Sequence, residues 1–337
     1  MKHAKLIGAA LALATSACSA LAPSDDPRHV VRGPIPSRVQ HPLALTFLDL
    51  VPRRPVVEAQ GNMGVTLTSA YTSIFEEQSS ATQNVQFDGE LWRNSARLRF
   101  GMGDGVDLET DIAFLYASGG FLDHFISQVH DFLNAPNQGR ETVEDNQFDM
   151  RIQSGGDTLY ELESNKVGLQ DVPLIVTFGE ATELPGHWNR ALRLGIELPW
   201  GSDSEGFGNG GMDYGIGFCA ERSYGRTTHH VAANVVFPSR PEDFIGTGVH
   251  VEDLYELVYG FEYRWTDHVS WIAQVDALSP MITDIPFEEI DSPIVELGVG
   301  CFQDLENSSR VFLSFHDDLV SETGPDFTVL VGWTTGL

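Results

Sequence analysis

Charged side chains recur at every second position in several apolar segments of this chain, a spacing that suggests a shared polar interior. Alternate residues of a β-strand lie on one face, so these charges would be separated from the apolar side chains between them. Ten of the fourteen are acidic and four are arginines, so they could attract cations or pair with one another. The candidate interior residues are Arg97, Arg99, Asp107, Glu109, Asp111, Arg193, Glu197, Asp213, Glu221, Glu256, Glu262, Arg264, Asp276 and Glu296.

Residues that could carry catalysis are few. Ser314 and His316 would share a strand face, as a nucleophile and its base must, but they share it with the inward charges. A barrel enzyme acting on lipids would need this pair on the lipid side, and no GxSxG motif is present. The GxGxxG spacing of Gly206, Gly208 and Gly211 precedes an alternating strand rather than a helix, so it does not indicate a dinucleotide site. We predict that the chain is not an enzyme.

The sequence also predicts no cofactor and no metal centre. His229 and His230 are adjacent, so in a strand they point to opposite faces and do not bind one metal together. We interpret the histidines as solvated loop residues. Forty-eight acidic and twenty basic residues give a formal charge of -28, which excludes nucleic acid as a partner. Acidic loops could bind divalent cations.

Strands must position the charged residues. The alternation is clearest at 212–221 and at 255–265, where the apolar face of the second segment is largely aromatic. The link Gly103-Asp104-Gly105 is rich in turn residues, so the segments on either side of it form a predicted hairpin. About twelve strands are expected over residues 56–337, within a range of ten to fourteen.

Three observations favour an antiparallel transmembrane β-barrel over a soluble sandwich. The apolar faces end in aromatic residues such as Tyr255 and Trp265. Short turns alternate with long connections such as 118–147, and the last segment is a strand. No run of eighteen apolar residues follows the N-terminus, so insertion into a membrane would require strands.

One short amphipathic helix is expected within a long loop. Its apolar residues recur at helical spacing, with polar residues elsewhere on the wheel. They are Leu122, Phe125, Ile126, Val129, Phe132 and Leu133.

The N-terminus has the features of an export signal. Lys2 and Lys5 precede a short apolar run and then small residues, so residues 1–22 are predicted to be a signal peptide. The cleavage position stays open, and cleavage before Cys18 with lipid attachment there is an alternative. Residues 23–55 form a predicted proline-rich arm. The expected location is the outer membrane of a Gram-negative-type bacterium.

Several segments resemble the bacterial domain of unknown function 3187 family. They are 32–43 (RGPIPSRVQHPL), 118–125 (SGGFLDHF), 168–171 (GLQD) and the loop from Leu198-Pro199 to Asp213. The resemblance implies an outer-membrane-like barrel and no assigned activity. The chain departs from the family at Trp200, where threonine is more usual, and at Leu337, where such barrels end in an aromatic residue that the barrel-assembly machinery recognises.

These features lead to one main functional hypothesis and one principal alternative. The first is a narrow passive channel for ions or small solutes with an acidic lumen. The alternative is a non-transporting barrel that serves envelope structure or adhesion. Expected partners are outer-membrane lipids and the barrel-assembly machinery, and the oligomeric state stays open.

Overall fold

The structure is a computed structural model that describes residues 30–121, 144, 146–181, 183, 186–285, 287, 291–306, 308–319 and 324–336. The predicted signal peptide, Cys18, the expected helix at 122–133 and Leu337 lie outside these residues. The described chain contains three short 3-10 turns, at Ala44–Thr46, Asp203–Glu205 and Glu242–Phe244. The strands are β1 (Met63–Ser79), β2 (Gln83–Gly103), β3 (Val106–Ser118), β4 (Asp149–Ser154), β5 (Asp157–Glu161), β6 (Val167–Leu169), β7 (Val172–Phe178), β8 (Asn189–Leu198), β9 (Asp213–Tyr224), β10 (Thr227–Phe237), β11 (His250–Val251), β12 (Leu254–Arg264), β13 (Val269–Leu278), β14 (Ile282–Thr283), β15 (Ile294–Asp304), β16 (Arg310–Asp318) and β17 (Phe327–Gly336).

Twelve of these strands close into one antiparallel β-barrel. Their order around the barrel is β1, β2, β3, β7, β8, β9, β10, β12, β13, β15, β16 and β17, and β17 pairs with β1 to close the ring. Closure removes every free edge, which a sheet in a membrane requires. The predicted fold and strand number are confirmed.

The connections differ at the two ends of the barrel. Tight turns join β2 to β3, β9 to β10, β12 to β13 and β15 to β16, and we call this the short-turn end. The predicted hairpin at Gly103-Asp104-Gly105 is one of these turns. The opposite end, which we call the long-loop end, carries the longer connections. There β4 pairs with the first residues of β2 and β5 pairs with β4, while β11 and β14 form a separate two-stranded sheet.

The outer surface of the barrel is apolar. In β9, Tyr214 and Phe218 are exposed while Asp213 and Glu221 are fully buried, as the alternation predicts. Because an exposed band of this kind is stable only against lipid, the outer face is the one that contacts the membrane.

No helix among the described residues is long and apolar enough to cross a membrane.

The inside of the barrel contains a segment of the chain itself. Residues 30–58, here called the N-terminal segment, precede β1 and are mostly buried. The segment rises from the short-turn end, turns at Ala44–Thr46 and descends again. Its middle part packs at the long-loop end against an apolar cluster that includes Phe47, Phe87, Phe207 and Phe244. The lumen is therefore filled rather than empty.

Inward-facing glycines make room for the N-terminal segment. A Cβ atom on Gly195 or Gly215 would lie 2.9 Å from a methyl carbon of Leu50 or Leu48, respectively. On Gly217 it would lie 3.0 Å from a methyl carbon of Leu50. These glycines lie on the neighbouring strands β8 and β9, so together they form a shallow groove for the descending part of the segment.

Candidate functional site

The ascending part of the N-terminal segment follows β13. Arg32 Nη1 donates to Ser270 Oγ at 2.9 Å, and the Ile35 backbone N–H donates to Gln274 Oε1 at 2.9 Å. Ser37 Oγ then donates to Asp276 Oδ2 at 3.0 Å. Three of the four inward positions from Ser270 to Asp276 therefore bind the segment, and Ile272 is the inward residue between the first two.

The descending part follows β9 and the strands beside it. The Leu48 backbone N–H donates to Asp213 Oδ2 at 2.9 Å. Further down, Arg193 Nη1 donates to the carbonyl oxygens of Leu50 at 2.6 Å and Val51 at 2.9 Å. The backbone of the segment is thus satisfied by side chains of the barrel wall, as buried polar groups require.

Arg53 pairs with the carboxylates that β3 directs inward. Its Nη1 and Nη2 atoms donate to the two oxygens of Asp107 at 2.9 and 2.7 Å, and Nη1 also donates to Glu109 at 3.1 Å. Bidentate pairs of this kind are among the strongest interactions that a guanidinium forms with a carboxylate.

Arg54 makes the corresponding contacts on β9. It donates to Glu221 through Nη2 at 2.7 Å and through Nε at 3.1 Å, and Nη2 also binds Glu183 at 2.7 Å. The N-terminal segment therefore supplies guanidinium partners for Asp107 and Glu221, whereas Glu109 is also paired with Arg193 of the barrel wall at 3.2 Å.

A cavity of about 270 Å³ remains at the short-turn end. Six guanidinium groups line it, against only two carboxylates, those of Glu58 and Glu109. The arginines are Arg32, Arg53, Arg54, Arg97, Arg99 and Arg310. Three of these arginines, Arg32, Arg53 and Arg54, belong to the N-terminal segment, and the expectation of an acidic lumen omitted them because it considered the strands alone.

Among the described residues, carboxylates that form no ion pair with an arginine or lysine lie closer to the long-loop end. Glu197, Asp276 and Glu296 are each 3 % exposed, and one oxygen of Glu197 has no hydrogen-bond partner. Asp276 and Glu296 face each other across β13 and β15.

The candidate interior residues all lie on strands of the barrel. Arg99 and Glu256 are partly exposed, Arg99 pairing with Glu58 and Glu256 accepting from Asn234. Their role in conduction stays a prediction. The buried members are Arg97, Asp107, Glu109, Asp111, Arg193, Glu197, Asp213, Glu221, Glu262, Arg264, Asp276 and Glu296.

Three buried histidines, His41, His230 and His316, correct the interpretation of the histidines as solvated loop residues. His230 lies inside the barrel between Glu221, 3.5 Å from Nδ1, and Glu262, 3.2 Å from Nε2. His316 is also buried, and its Nε2 atom lies 2.9 Å from Ser314 Oγ. The predicted shared face of Ser314 and His316 is thus observed, and it is the inner face.

Asp171, outside the barrel strands between β6 and β7, organises the connection from β8 to β9. Its two oxygens accept the backbone N–H groups of Gly201 at 2.7 Å and Asn209 at 3.1 Å. Burial raises the pKa of Asp171 to about 6, against the lowering effect of these backbone donors. No motif considered in the sequence analysis predicts this role.

Similar structures and sequences identify the fold and the family. The outer membrane channel COG4313 from Pseudomonas putida F1 aligns with a TM-score of 0.54 at 11 % identity, over 86 % of this chain and all of that one. The NanC porin aligns with a TM-score of 0.47 at 7 % identity, over 80 % of this chain and 98 % of that one. No curated protein matches the chain in sequence. The family model for proteins of unknown function named DUF3187 matches residues 10–337, so the chain belongs to the DUF3187 family.

Proposed function

We propose that this chain is an outer-membrane channel for ions or small solutes that its own N-terminal segment closes. Residues 1–22 would direct export, lipids would surround the apolar outer face, and the barrel-assembly machinery would insert the strands. In the conformation described, the segment fills the lumen, and conduction requires it to move. The barrel fold shared with an outer membrane channel is consistent with this proposal.

The observation that carries the proposal is the polar character of the contacts between segment and wall. Arg53 and Arg54 pair with Asp107 and Glu221, and Asp213 accepts a backbone N–H of the segment. These groups can exchange their partners for water, whereas an apolar wall would lose its contacts without compensation. A wall that keeps charged side chains behind the segment is suited to a lumen that becomes hydrated.

The charges of the wall indicate which ions would pass. With the segment displaced, the candidate interior residues contribute ten carboxylates and four guanidinium groups. The surplus of negative charge would favour cations in the open lumen. Among the residues that would set this preference are Glu256 and Glu262, on β12.

A second candidate is a barrel that carries no solute and serves envelope structure or adhesion. The apolar cluster at the long-loop end supports it, because residues such as Phe47 and Leu48 pack there against buried side chains of several connections. In that case the N-terminal segment would be a permanent core of the barrel.

Single-channel recording in planar bilayers separates the two candidates. We expect the wild-type protein to show rare, cation-biased openings. Arg53→Gln with Arg54→Gln should increase the open probability at least about a hundredfold, because losing even one of the two ion pairs costs about 3 kcal/mol. Arg151→Gln is the matched control. Arg151 pairs with Asp149 on β4, outside the barrel ring, so this substitution should leave the openings unchanged.

Glu256→Gln and Glu262→Gln test the selectivity separately. Each should reduce the preference for cations, because each removes one negative charge from the lumen. If folded wild-type and Arg53→Gln/Arg54→Gln proteins both give no discrete openings, the channel proposal is wrong and the non-transporting barrel is favoured.

A further inference from the structure

Three side chains on neighbouring strands converge inside the barrel beside the N-terminal segment. Asp276 on β13 lies opposite Glu296 on β15, and His316 on β16 lies opposite Gly298, two positions further along β15. Each offers one ligand atom, and these atoms all lie within 4.8 Å of one another. A Cβ atom on Gly298 would lie 2.8 Å from His316 Nδ1, so a glycine is needed there to admit the imidazole.

The charge of this cluster is not compensated by arginine or lysine. Within the described chain, no ion pair within 4.0 Å involves Asp276 or Glu296, although both are 3 % exposed. Asp276 accepts hydrogen bonds from Ser37 and Gln274, whereas Glu296 has no hydrogen-bond partner among the described residues. Two buried carboxylates in contact are costly unless a proton or a cation neutralises them.

His316 presents an unused nitrogen to the cluster. Its Nε2 atom is 2.9 Å from Ser314 Oγ, while its buried Nδ1 atom has no hydrogen-bond partner. When Nε2–H donates to the serine hydroxyl, Nδ1 carries a lone pair that can bind a metal. Metal-binding histidines are commonly held in this way by a hydrogen bond from the other ring nitrogen.

We infer that Asp276, Glu296 and His316 form a binding site for a divalent transition-metal ion of the Zn²⁺ class. An imidazole with two carboxylates is a frequent ligand set for such ions, whereas Ca²⁺ and Mg²⁺ prefer oxygen ligands alone. Two ligands that bind one Zn²⁺ at about 2.1 Å lie at most about 4.2 Å apart, so small side-chain movements complete the site.

The surroundings fit a small coordinated ion. A cavity of about 10 Å³, lined among others by Ser37, Glu296 and His316, is large enough for one water molecule as a fourth ligand. Of the arginines that also line this cavity, Arg93 binds Asp111 at 2.9 Å, Arg38 donates to the carbonyl oxygens of Ala44 and Phe47, and Arg97 lies 3.8 Å from Glu109. Because Ser37 binds Asp276, the metal would stabilise the closed position of the N-terminal segment. The metal site itself does not depend on conduction.

Calorimetric titration of the detergent-folded full chain with Zn²⁺ tests the inference. We expect one strong site per chain in the wild-type protein. His316→Ala or Glu296→Gln should weaken it about a hundredfold or more, and Ser314→Ala about tenfold to a hundredfold, since that serine only orients the imidazole. Ser314→Thr should restore binding. His250→Ala is the matched control, because His250 forms an exposed pair with Asp284 and should leave the affinity unchanged.

X-ray absorption at the zinc edge provides a second readout that does not depend on the variants. We expect only nitrogen and oxygen ligands with an imidazole among them. Sulfur ligands would place the metal at one of the three cysteines, Cys18, Cys219 or Cys301, and overturn the inference. Equal Zn²⁺ affinity in wild-type, His316→Ala and Glu296→Gln proteins, or no strong site in the folded wild-type protein, would also overturn it.

Discussion

At the scale of single residues, the interior of this barrel is organised by carboxylates whose partners belong to distant parts of the chain. Asp107 and Glu221 are fully buried and bind Arg53 and Arg54 of the N-terminal segment. Breaking such a pair leaves a charge without a partner, which costs more than the pair itself contributes. The same side chains therefore hold the segment in place and make its position sensitive to single substitutions.

Asp171 provides a residue-scale prediction about pH. Because burial raises its pKa to about 6 from an ordinary 3.8, the folded chain binds this proton more tightly than the unfolded chain does. The resulting stabilisation is complete below about pH 4 and is lost as the pH rises through 6. We expect the thermal unfolding midpoint, relative to that of Asp171→Asn, to fall between pH 4 and pH 7. Parallel pH profiles for the two proteins would contradict this assignment.

At the scale of elements, the N-terminal segment and the groove of inward glycines on β8 and β9 fit each other. The glycines leave room for the side chains of Leu48 and Leu50. Arg193 donates hydrogen bonds to the backbone carbonyl oxygens of Leu50 and Val51. The segment has no strand partner over this stretch, so side-chain contacts rather than a hydrogen-bonded ladder determine its path. Such contacts can be broken without disrupting the barrel ring.

Filling the groove should displace the N-terminal segment. In Gly217→Leu the new side chain would start 3.0 Å from Leu50 and 2.3 Å from Asn234 Oδ1, so the segment must shift. We expect faster proteolysis of residues 30–58 in the folded barrel and more frequent openings in bilayers. Phe218→Leu, on the outer face of the same strand, is the control and should change neither. Unchanged proteolysis in Gly217→Leu would show that the groove does not hold the segment.

The sequence predicts the barrel well because the alternation of apolar and polar side chains is a local property of each strand. Tyr214 and Phe218 alternate with Asp213 and Glu221 in the structure as they do in the sequence, and the turn at Gly103-Asp104-Gly105 depends on local residues alone. The position of the N-terminal segment could not be derived in this way, because it depends on pairs such as Arg54 with Glu221, which are 167 positions apart.

Two features of the sequence nevertheless point to an occupied lumen. The predicted interior carries far more carboxylates than cations, and four arginines, Arg32, Arg38, Arg53 and Arg54, precede the first strand. Glycine also replaces larger residues on the inner face of β9, at Gly215 and Gly217. Neither feature identifies the metal site, because Asp276, Glu296 and His316 converge only when β13, β15 and β16 are in register.

At the scale of the whole molecule, the barrel is a cylinder with an apolar outer face and an interior divided by charge. Guanidinium groups surround the cavity at the short-turn end, unpaired carboxylates lie further in, and apolar side chains fill the long-loop end. In barrels of this kind the short turns face the periplasm, so the cavity would open on that side. The N-terminal segment would then enter and leave the lumen from the periplasm.

The central claim, that residues 30–58 close the lumen and move to open it, is tested most directly by a reversible covalent lock. A Cβ atom on Gly215 would lie 2.9 Å from Leu48 Cδ2, and Leu48→Cys vacates that position, so Leu48→Cys with Gly215→Cys should form a disulfide. The native cysteines Cys18, Cys219 and Cys301 are replaced by serine in all proteins, and the variants that carry only one of the two introduced cysteines are the controls. We predict that the oxidised double variant shows no openings in planar bilayers and that reduction restores them. Equal conductance before and after reduction of a fully cross-linked protein would contradict the account.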